Sequence, residues 1–80
     1  MALAWTTENG NEVGRIAAAT NPAFIIDPTN KTVEVRITGK ENLSGAWPLA
    51  STATTADVKT WCAAQLTANN IPLNGTVVSD

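Results

Sequence analysis

From Thr54 to Asn70 the chain reads TTADVKTWCAAQLTANN, and Val58, Trp61, Cys62 and Leu66 recur there at helical spacing. At about 100° per residue they form one apolar stripe roughly 140° wide, with Lys59, Thr60, Ala63 and Thr67 on the opposite side. Thr54 or Thr55 is placed to cap the first turn. Asp57 completes a weaker form of the capping box near the positive end of the helix dipole. Asn69 and Asn70, followed by Pro72, predict the stop.

A second pattern has period two. Between Thr32 and Thr38, Val33, Val35 and Ile37 alternate with Thr32, Glu34, Arg36 and Thr38, which predicts a strand with one apolar and one wet face. The short apolar run Ala23-Phe24-Ile25-Ile26 precedes it. Asp27-Pro28-Thr29-Asn30-Lys31 supplies turn chemistry between the two, with Pro28 fixing φ and Asn30 suited to the left-handed region. A hairpin centred near Thr29 is expected.

Residues 11 to 20 (NEVGRIAAAT) fit two readings. Val13, Ile16, Ala17 and Thr20 match a helix capped by Asn11 and stopped by Asn21-Pro22, although Gly14 and the short length weaken it. A strand from Glu12 to Ala19, paired with Leu3 to Thr7 across the Glu8-Asn9-Gly10-Asn11 turn, fits as well. Between Gly39 and Ser51 the residues Asn42, Gly45 and Pro48 predict irregular chain, with Leu43, Trp47 and Leu49 tucking back on the core. After the helix, Gly75 to Val78 has the character of a short edge strand. The expected fold is α+β: a small antiparallel sheet built around a 23–38 hairpin, packed against one amphipathic helix near 55–68.

Eighty residues with twenty Val, Ile, Leu, Phe and Trp side chains suit one modest core, so residues 1–80 are read as a single domain. The 44% hydrophobic content is inflated by thirteen alanines, which bury little area each. Charged residues make up only 15%, against roughly 25% in ordinary soluble domains. Twelve Thr, eight Asn and the alanines must therefore fill much of the surface, and such short neutral side chains lose little entropy when a contact immobilises them.

The chemistry-bearing residues are scarce. There is no histidine and no tyrosine, and Cys62, the one cysteine, sits on the apolar helix stripe with no base to deprotonate it. Ser44, Ser51 and Ser79 likewise have no histidine partner. Glu8 and Glu12 lie four apart, but a chain this small struggles to enclose the cleft that would raise one carboxyl pKa, so they read as solvated turn residues. No spacing of His, Cys or Asp suits zinc or calcium, and the five glycines match no phosphate-binding fingerprint. No catalytic residue, cofactor or metal is expected.

The five basic residues, Arg15, Lys31, Arg36, Lys40 and Lys59, are scattered, and the net charge is −2, which argues against nucleic acid as a partner. No run of residues has the length and apolarity of a membrane span, and the first residues lack the regions of a signal peptide, so a cytoplasmic or virion-associated location is expected. The sequons at Asn30, Asn42 and Asn74 are about what an Asn- and Thr-rich composition produces.

What remains is contact with protein. Trp47, in SGAWPLA between Gly45 and Pro48, is either an exposed anchor for a partner or a lid on the domain's own core. With Leu49, and with the Thr60, Ala63, Ala64 and Thr67 face of the helix, it makes up the candidate interface. The expected function is non-enzymatic: a structural or assembly subunit, of the small virion or capsid-cement type, that packs against itself as a homo-oligomer or against a larger shell. The alternative is an adaptor or inhibitor that presents Trp47 and the 39–51 loop to one target.

Overall fold

The computed structural model describes residues 3–16, 20–37 and 39–68. They form a five-stranded sheet covered on one face by a single helix, the α+β arrangement expected from the sequence. Strands β1 (Leu3–Glu8), β2 (Asn11–Ile16), β3 (Phe24–Asp27), β4 (Thr32–Val35) and β5 (Gly45–Ala46) lie side by side in chain order, each antiparallel to the next. A short 3-10 turn, Glu41–Leu43, precedes β5, and helix α1 (Thr55–Ala68) follows it.

The ambiguous segment at residues 11–16 is a strand. Asn9 and Gly10 both take positive φ, 54° and 82°, which is the type I′ geometry whose twist matches that of two paired strands. Register then follows from the turn, from Glu8 opposite Asn11 to Leu3 opposite Ile16. Ala17 to Ala19, the remainder of the expected strand, lie outside the described residues, as do the positions of the helix stop and of the 75–78 strand.

The second hairpin forms where the alternation predicts, with Phe24 opposite Val35 and Ile26 opposite Val33. Its turn differs in one respect. Lys31, and not Asn30, adopts the left-handed conformation at φ 56°. Asn30 is instead bound to Asp27: its backbone N–H donates to Asp27 Oδ1 at 3.1 Å and its amide to Oδ2 at 2.9 Å, and the Thr29 N–H also donates to Oδ1. The carboxylate organises the turn, and these hydrogen bonds hold its pKa below the usual value.

Side chains alternate between two faces. The inner face carries Ile16, Phe24, Ile26, Val33, Val35 and Ile37, all buried, and against them α1 sets Val58, Cys62 and Leu66. Leu3, Trp5, Leu43, Ala53 and Trp61 pack around this cluster half-buried. Each large side chain fully buried there contributes about 1.5–3 kcal/mol against chain entropy. The helix begins as its sequence predicts: the Asp57 N–H donates to Thr54 Oγ1 at 3.2 Å while the Thr54 N–H donates to Asp57 Oδ2 at 3.0 Å, a reciprocal capping box.

Candidate protein interface

Helix α1 carries only two charged residues, and both are engaged within the fold. Asp57 closes the capping box. Lys59 reaches from the helix to β2, where its ammonium lies 2.9 Å from Glu12 Oε1 and 5.4 Å from the centre of the Trp5 ring. Bonding to Lys59 first, and to the Thr7 hydroxyl second, holds the Glu12 pKa below its usual value. Glu12 is thus not a solvated turn residue but the sheet-side anchor of the helix. Glu8 likewise finds its own cation, Arg15 at 2.9 Å, and its pKa is lowered by that bond.

With Lys59 turned toward the sheet, the outward side of α1 carries little charge: Ala56, Thr60, Ala64, Thr67 and Ala68 are exposed together with Asp57 in the first turn, and Ala63 is half-buried at the margin. Thr60 turns its hydroxyl back onto the helix, donating to the Ala56 carbonyl at 3.1 Å. Of the four helix positions singled out by sequence, the fold brings Thr60, Ala64 and Thr67 together on one open surface.

Trp47 does not join them. It is buried, with 7% of its surface exposed, and closes one side of the core. Its backbone N–H donates to the Lys31 carbonyl at 2.9 Å and its indole N–H to the Thr32 carbonyl at 3.1 Å, while the Lys31 ammonium stands 4.5 Å from the ring centre. An indole held at its backbone, its N–H and its face is a lid on the domain and not a free anchor. The lid is one of the two readings its sequence allowed, whereas Leu49 departs from its own. Expected to tuck inward, it is the large apolar side chain left exposed among the described residues, at 38%. Trp47 and Leu49 therefore do not form one surface.

Two features of the sheet escaped the sequence reading. The face turned away from α1 is not wholly polar: Val13 lies between Thr6 and Ile25 across the strands and is itself 5% exposed, flanked by the Glu8–Arg15 and Glu34–Arg36 ion pairs. Val13 had fitted a helical face equally well, so nothing local marked it. The second feature is the sheet's unequal edges. β5 is two residues long, whereas β1 offers six, in unbroken register with β2 and without proline, lysine or bulge.

The fold shifts the titration of four of the chemistry-bearing groups. Burial pushes the Cys62 thiol up to about 12, leaving it protonated and unreactive at neutral pH. Glu8, Glu12 and Asp27 are all shifted down, opposite to what a general acid at neutral pH requires. Among the described residues no group of three or more His, Cys, Asp or Glu is placed to hold a metal ion, and no helix is long and apolar enough to cross a membrane.

No protein-family model matches this chain, and neither the curated proteins nor the solved structures contain a significant match to it.

Proposed function

We propose that this chain is a non-enzymatic structural or assembly subunit that packs against copies of itself or against a larger protein shell such as a virion. The observation that carries the reading is the low charge of the surface α1 presents: Lys59 is drawn to Glu12 on the sheet, leaving alanine and threonine outside with Asp57, capped by Thr54, at one end. Such a surface loses little on desolvation and little side-chain entropy when another protein covers it. The long, unblunted β1 edge supports the same reading, because an open strand edge in a solitary protein invites uncontrolled pairing.

An adaptor that uses Trp47 as its anchor has less support, since the indole is committed to the core and Leu49 stands apart from it. The experiment that tests the assembly reading is the molar mass in solution at micromolar concentration. A mass above that of one chain agrees with it, and a single chain at every concentration, with no partner captured in a pull-down, removes it.

A further inference from the structure

We propose that the second copy binds at the β1 edge, the two β1 strands pairing antiparallel about a twofold axis at Trp5 to fuse two five-stranded sheets into one. The inference rests on the assembly reading above and names its surface and register.

The register comes from the first hairpin. In a two-residue type I′ loop, the flanking pair Glu8 and Asn11 exchange both backbone hydrogen bonds, and the ladder then alternates. Glu8, Thr6 and Ala4 therefore direct N–H and C=O toward β2. Leu3, Trp5 and Thr7 direct theirs outward, to an edge that no other described strand occupies. The same three residues lie on the inner, helix-covered face, since their cross-strand neighbours are Ile16, Gly14 and Glu12, and Gly14 in turn faces buried Phe24.

Antiparallel pairing across a twofold axis normal to the sheet must match inner residues to inner residues and outward-bonding residues to outward-bonding ones. Both conditions select odd positions against odd positions. The register that uses all three sets Trp5 opposite Trp5 of the second copy and Leu3 opposite Thr7 of the second copy, in both directions. Each such pair exchanges two backbone hydrogen bonds.

The side chains suit self-pairing. The segment from Leu3 to Thr7 carries no charge, so no like charges meet, and Glu8 falls outside the paired stretch. Trp5 stands opposite Trp5 of the second copy in the backbone register, each ring lying over Gly14 of its own chain and so leaving the seam unobstructed. Both helices lie on the same side of the joined sheet.

The register is testable by cross-linking. It makes Ala4 and Thr6 of the second copy a non-hydrogen-bonded pair with Cα atoms about 4.5 Å apart, within disulfide reach, whereas two Ala4 or two Thr6 residues stand about 7–8 Å apart. Chains carrying Ala4→Cys and chains carrying Thr6→Cys are prepared separately, then mixed under mild oxidation. A covalent dimer is expected in the mixture and not in either variant alone. A second variant, Thr7→Pro, removes an outward N–H that the β1–β2 ladder does not use, and is expected to return the protein to monomer mass with a cooperative melting transition retained, lowered by loss of the Thr7–Glu12 hydrogen bond.

If wild-type protein is dimeric in solution but the mixture cross-links no better than each variant alone, the β1 edge is overturned while self-association stands. If wild-type protein is monomeric throughout, the β1 pairing and self-association both fall, and only the larger shell is left as the partner of the assembly reading.

Discussion

The indole of Trp5 lies flat on Gly14, its partner across the β1–β2 ladder, so closely that a Cβ on residue 14 would stand 2.8 Å from two ring carbons. Gly14 has an ordinary extended backbone there, so glycine is required for space and not for its dihedral freedom. In a strand a glycine normally weakens pairing. Here the ring supplies the apolar cover that a side chain would have given.

Gly14→Ala is accordingly expected to destabilise the protein by about 1–3 kcal/mol through overpacking. In a Trp5→Leu background the clash is gone, and the same substitution should be neutral or stabilise by about 0.4–1 kcal/mol through the unfolded chain. Chemical denaturation of the four proteins measures the coupling. Equal effects of Gly14→Ala in both backgrounds would show that the ring does not occupy this site.

Trp47→Ala should behave as a core deletion. The expected loss is about 3–5 kcal/mol, a large share of the total stability of a domain this size. Trp47→Phe keeps most of the packing but leaves the Thr32 carbonyl without its indole donor, and is expected to cost about 1–3 kcal/mol. A melting transition unchanged by either substitution would contradict the lid.

Acid should weaken the tie between helix and sheet. The Glu12 carboxyl has its pKa lowered from the ordinary 4.5 by Lys59 and Thr7, so its contribution is fully present above that value and is lost as pH falls through the lowered pKa. Glu8 and Asp27 act in the same direction. Melting temperature is expected to hold steady from neutral pH to about 5 and to decline below about 4.5. Glu12→Gln should cost about 0.2–1 kcal/mol near neutral pH and make the acid decline shallower. A variant with the wild-type acid profile would show that Lys59 does not hold this carboxylate.

Cys62 should resist thiol reagents in the native state. It has no exposed surface and its pKa is pushed up to about 12, so modification near neutral pH must wait for the chain to open. Labelling is expected to be slow in buffer and fast in denaturant. At alkaline pH the sign is the reverse of that for the carboxylates: an unfolded thiol ionises near 9 while the folded one does not, so stability falls as pH rises between those values. Rapid labelling of folded protein would contradict the burial.

Several elements were legible because their determinants are local. The alternation of Val33, Val35 and Ile37 fixes the inner face of β4, and Thr54 with Asp57 marks the helix start to the residue. Residues 11–16 were not legible, since Val13 and Ile16 satisfy either period. What decides them is the Asn9-Gly10 turn together with Trp5 lying over Gly14, a contact that exists only once the two strands have paired.

Trp47 illustrates the same limit. Gly45 and Pro48 announce irregular chain, but the indole is drawn inward by a carbonyl of β4, and sequence spacing does not reveal that partner. Leu49, two residues on, stays outside. The low charge of the helix face was legible in composition. That Lys59 is held by Glu12 was not.

The most direct test of the assembly reading is molar mass by light scattering, taken over a micromolar dilution series at low and high salt. An interface built from backbone pairing and uncharged side chains is little screened by ions. The mass is therefore expected to approach twice the 8.4 kDa of one chain at the upper end, to fall on dilution, and to follow the same curve at both salt concentrations. A constant 8.4 kDa across the whole series would contradict the self-association on which the β1 pairing rests.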